Sequence, residues 1–80
     1  MRVILEIPLD RYHTCLPRFP LNSRENRALT NGVIARNEVG DEVIQILCES
    51  EIAKAVQKLF AKLCPEALDK IKELPEKTPS

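Results

Sequence analysis

No CxxC or HxxxH spacing, no EF-hand loop and no glycine-rich phosphate loop occurs in this chain, which holds only two glycines and one histidine. Those absences remove the commonest sequence routes to a structural zinc site, a calcium site and a nucleotide-phosphate cradle. No apolar run approaches the ~20 residues that a membrane span needs. Met1-Arg2-Val3-Ile4-Leu5-Glu6 places charge inside its apolar run at once, unlike a secretory leader. The three cysteines are an odd count, well apart in sequence, and do not make a disulfide framework. The expectation is a soluble, cytoplasmic protein with reduced thiols. Internal repeats, heptads and low-complexity tracts are also missing from the sequence.

Net charge is absent too: twelve basic residues balance twelve acidic ones. The balance is uneven along the chain. Residues 1–36 hold six arginines against three acids, and residues 37–80 hold six lysines against nine acids. Arginine's planar fork suits carboxylates and phosphates, whereas lysine is a hydrated point charge. The front half is therefore where a recognition surface is expected. Zero net charge argues against non-specific nucleic-acid binding by the chain as a whole.

What is present is a dense apolar strand. Glu42-Val43-Ile44-Gln45-Ile46-Leu47-Cys48 is interrupted only by Gln45. Such a run predicts a strand covered on both faces, or a central strand whose second face is partly buried. Residues 2–9 alternate, with Val3, Leu5, Ile7 and Leu9 on one face, and Pro8 places the strand at an edge near its end or stops it there. Residues 10–21 read as irregular but docked, because Tyr12, Leu16, Phe19 and Leu21 are large apolar groups. Asn22 with Glu25 resembles a capping box, and Gly32 falls just past the helix that this box would start. Gly40 sits in a short loop between two β-branched runs, a hairpin signal. Ser50 is the expected cap of a helix whose stripe is Ile52, Val56, Leu59, Phe60 and Leu63. Pro65 ends that helix and opens another, with Leu68, Ile71 and Leu74 as its apolar side.

The natural closure is an α+β domain. It has a three-stranded, mainly antiparallel sheet (about 2–9, 33–37 and 42–48), C-terminal helices (about 51–63 and 65–74) and a short helix over 23–31. Residues 1–74 form this single domain and 75–80 a disordered tail. Strand order is left open, with 42–48 central if it pairs with 2–9.

No catalytic signature and no family resemblance is found, so no catalytic residue, metal or cofactor is assigned. His13-Thr14-Cys15 is the one His–Cys neighbourhood, but too few partners stand near it for a metal site. Cys48 and Cys64 read as core fillers. Glu38, Asp41, Glu42, Glu49 and Glu51 read as a solvated hairpin tip and a helix N-terminus. Arg11, Tyr12, His13, Arg18, Phe19, Arg24, Arg27 and Arg36 are the candidate partner- or anion-binding residues, since arginine with aromatics serves both protein interfaces and phosphate sites. The expected function is a small non-enzymatic protein-binding or regulatory module, with a partner protein or a second copy of itself. A homodimer would relieve the small area that 80 residues can bury. The alternatives are a nucleic-acid-associated regulator using the arginine-rich half, and a small-anion or ligand-binding protein.

Overall fold

The computed structural model describes residues 1–37 and 42–76. The chain runs through β1 (Arg2–Pro8), α1 (Leu9–Thr14), a 3-10 turn (Leu16–Arg18), α2 (Ser23–Asn31) and β2 (Val33–Asn37). It continues through β3 (Val43–Glu49), α3 (Ser50–Leu63), α4 (Pro65–Leu68) and β4 (Lys72–Pro75). The fold is α+β, a four-stranded antiparallel sheet in the order β2-β3-β1-β4 with helices packed against it.

Strands β1 and β3 form the centre, in a register that sets Val3 against Cys48, Leu5 against Ile46 and Ile7 against Ile44. These six side chains all point into the helix layer and are buried. From the other side they meet Ile52, Ala53, Val56 and Phe60 of α3, with Leu16, Phe19, Leu29 and Ala67 closing the rim. The alternating burial of β3 resolves its near-continuous apolarity: one face is core and the second is half-buried. Pro8 stops β1, as its missing N–H demands, and the next N–H, that of Leu9, donates to the Glu42 carbonyl at 2.7 Å.

Three elements differ from the sequence reading. The irregular stretch after β1 holds α1, preceded by Pro8, and a 3-10 turn with Pro17 in its first turn and Pro20 just beyond it. Ser50 is not the cap of α3 but its first residue, and its N–H donates to the Met1 carbonyl at 2.8 Å. The largest departure is the second C-terminal helix. It ends at Leu68, and the chain returns as a fourth strand alongside β1, Ile4 opposite Leu74. Without β4, one whole side of β1 would leave its backbone groups unpaired beside the core, a cost that outweighs helical spacing in a short segment. Residues 75 and 76, expected in a disordered tail, lie against β1, since Pro75 pairs with Val3 and Glu76 lies 3.3 Å from Arg2; the rest of that expected tail, 77–80, lies outside the described residues.

The capping box on α2 forms as read, with Asn22 Oδ1 accepting from the Glu25 N–H at 2.8 Å and Glu25 accepting from the Asn22 N–H at 3.0 Å. Strands β2 and β3 pair antiparallel as a hairpin, with a bulge between Val33 and Ala35. Gly40 and the rest of the connecting loop, 38–41, lie outside the described residues.

Gly32 ends α2 at φ −82°, so handedness does not require a glycine there. Space does. A Cβ at Gly32 would lie 2.2 Å from the Leu47 carbonyl oxygen and 2.6 Å from that of Ala28. Both obstacles are backbone, and the Leu47 N–H donates to the Gly32 carbonyl at 2.7 Å. Gly32→Ala must push α2 off β3. A loss of about 1–3 kcal/mol, the usual range for overpacking, is expected in urea denaturation.

Candidate functional site

The arginines and aromatics singled out from the sequence do not gather into one site. Tyr12 and His13 stack edge-to-face, with ring centroids 5.5 Å apart, and the Tyr12 hydroxyl donates to the Leu29 carbonyl at 3.3 Å. They share a shallow recess with Leu16, Pro17 and Asn26. Arg24 and Arg27 lie on α2, and Arg24 is paired with Glu51 at 2.7 Å. Arg36 lies on the outer strand β2. Phe19 is core, 7% exposed and edge-on to Phe60 at 4.8 Å, so it presents little surface. Arg24 and Arg27 line one recess on α2, and Arg11 and Arg18 line another with Phe19, Cys15 and Cys64.

That recess was not legible from sequence, because its two sulfurs come from residues 49 apart. Cys15 follows the last turn of α1, and Cys64 occupies the break that Pro65 imposes between α3 and α4. Their Sγ atoms are 2.9 Å apart, and both cysteines are free. The Thr14 hydroxyl is 3.8 Å from the Cys15 sulfur, and Arg11, 3.6 Å from Glu66, stands alongside. Burial opposes ionisation of Cys15, but hydrogen bonds from Cys64, Thr14 and Arg11 outweigh it and hold the thiol below its ordinary range. Cys64, hydrogen-bonded with Cys15, is pushed up. Cys48, under α3, is pushed up to about 11 by burial and by Glu73 and Glu49. Among the described residues, no group of three or more His, Cys, Asp or Glu side chains is placed to hold a metal ion.

The second surface is the side of the sheet turned away from the helices. Its residues are those that alternate with the core set: Arg2, Ile4, Glu6 and Pro8 on β1, and Val43, Gln45, Leu47 and Glu49 on β3. On β4 they are Lys72 and Leu74, and Glu76 continues the alternation. The register lays these out in rows. Leu47, Ile4 and Leu74 form an apolar row across three strands. On one side of it run Glu49, Arg2 and Glu76, with Arg2 paired to Glu76 at 3.3 Å. On the other run Gln45, Glu6 and Lys72, with Gln45 donating to Glu6 at 3.0 Å. None of the three apolar residues packs against the core cluster.

Comparison with protein-family models, with curated proteins and with solved structures finds no match to this chain. Among the described residues, no helix is long and apolar enough to cross a membrane.

Proposed function

We propose that this chain is a non-enzymatic protein-binding module whose partner is a second copy of itself, docked through the uncovered face of the sheet. The observation that supports this is the self-complementary order of the three rows. A half-turn about the Leu47–Ile4–Leu74 line lays that row on its own copy. The same operation sets the Arg2 row over the Glu6 row of the second copy. Arg2 then faces Glu6, Glu76 faces Lys72 and Glu49 faces Gln45. Two opposed charges meet twice each, and no like charges are brought together. Such an isologous contact is the commonest arrangement of a small homo-oligomer.

Size gives the face a reason to close. A chain of this length buries only ~60% of its unfolded surface, and a dimer adds apolar burial at ~25 cal/mol per Å². Affinity would come from the apolar row; the charged rows would set orientation, since exposed ion pairs contribute only ~0–1 kcal/mol each. The scattered arginines on α1, α2 and β2 are not needed for this reading.

A charge exchange tests the orientation. Arg2→Glu and Glu6→Arg should each weaken association about tenfold in Kd, since symmetry makes every altered contact occur twice. The double variant should recover most of that loss, as read by light scattering across a dilution series. If the double variant associates no better than the worse single one, the two-fold docking is wrong.

A further inference from the structure

We propose that Cys15 and Cys64 form a disulfide-exchange site that closes into an intramolecular bond on meeting a low-molecular-weight disulfide. Three observations bear on it. The sulfurs stand 2.9 Å apart, and a disulfide bond is about 2.05 Å long, so closing the bond needs less than an ångström of movement. Both cysteines sit at helix ends, where each N–H closes the preceding helix (Cys15 to the Arg11 carbonyl and Cys64 to the Phe60 carbonyl, both at 2.8 Å), so the two sulfurs are held near each other by fixed backbone. Both also line an open recess of about 450 Å³ with Arg11 and Arg18; Cys64 is half-buried and Cys15 is 6% exposed, so a small reagent meets Cys15 through that recess.

The chemistry follows from which sulfur carries the negative charge. Cys15 lies 2.9 Å from the Cys64 sulfur and beside Arg11, neighbours that favour its thiolate, the reactive form. The Cys15 thiolate attacks one sulfur of the small disulfide R–S–S–R. The Cys15–S–S–R bond forms, the R–S–S–R bond breaks, and RS⁻ leaves and takes up a proton. Cys64 then gives up its proton and attacks the Cys15 sulfur, expelling the second RS⁻. The two protein thiols lose two electrons and two protons, and R–S–S–R gains both as two R–SH.

Cys48 is the internal control. It is about as buried as Cys15, 4% against 6% exposed, but it does not line the recess, and burial with Glu73 and Glu49 keeps its thiol protonated at neutral pH. The product would tie the α1 end to the α3–α4 junction on the helix layer, opposite the docking face, so neither proposal depends on the other.

The test incubates the reduced full-length chain with oxidised glutathione at neutral pH, then counts thiols and maps peptides without reductant. The expected result is a fall from three free thiols to one, with a mass lower by two hydrogens. A peptide pair joined through Cys15 and Cys64 should appear. Cys48→Ser should still form the bridge, and Cys64→Ser should stop at a mixed glutathione adduct on Cys15. Three thiols surviving, a bridge involving Cys48, or an adduct on Cys64 with Cys15 free would each overturn the proposal.

Discussion

Phe60→Ala is expected to remove about 3–5 kcal/mol of stability, the range for deleting a buried aromatic ring. Phe60 is fully buried, and it is the largest side chain that is. It lies on the core-facing stripe of α3, on the same turn-to-turn line as Ile52 and Val56. Phe19 meets it edge-on at 4.8 Å, the arrangement that aromatic quadrupoles favour. Removing the ring therefore withdraws the support that docks the 3-10 segment and the Phe19 loop. Small domains hold only about 5–15 kcal/mol in total, so the variant should show a greatly lowered urea midpoint. A change below ~1 kcal/mol would mean that α3 does not seat on the sheet as described.

Ile46→Ala should cost about 2–5 kcal/mol, the range for truncating a buried aliphatic. Ile46 is fully buried at the middle of β3, opposite Leu5 on β1 and Val33 on β2. Its Cγ2 also lies close beside Gly32, so the side chain touches the α2–β2 junction as well as the sheet. The cavity would thus open where three elements join, and strands tied by ladders on both sides cannot collapse to fill it. Calorimetry should show the loss as a lowered Tm. Leu47→Ala, one residue along and on the half-buried face, should cost much less when both variants are unfolded at a dilution where the chain is monomeric. Equal losses at both positions would mean that the two faces of β3 are not distinct.

The fold was legible wherever a local rule agreed with the tertiary contact. Alternation in β1, the apolar run of β3, the Asn22–Glu25 box and the Pro65 break each state their own structure. The sequence misleads at Lys72–Pro75, where Leu68, Ile71 and Leu74 keep helical spacing. There the unpaired side of β1 decides the outcome, and that demand lies some seventy residues away in the chain. The α1 helix was hidden for a different reason, since six residues between prolines carry too little periodicity to read. Leu63 lies on the apparent stripe of α3 yet is 49% exposed, whereas Phe60 in the same turn is fully buried.

Sites are less legible than folds because they are made by residues brought together from afar. Arg11 and Arg18 were visible as candidates, but the sulfur pair between them needs Cys64, which the sequence alone presents as a core filler. The open sheet face was visible only as one half of β1's alternation. Its row order depends on β4, the strand that helical spacing concealed.

Sedimentation equilibrium of the wild-type chain, over a wide range of concentration, tests most directly whether the uncovered sheet face closes on a second copy. The weight-average mass should climb from 9.1 kDa at high dilution toward double that value, and Ile4→Arg should hold it at the lower limit without loss of helical signal. A wild-type mass fixed at 9.1 kDa throughout, up to the highest concentration reached, would contradict the account.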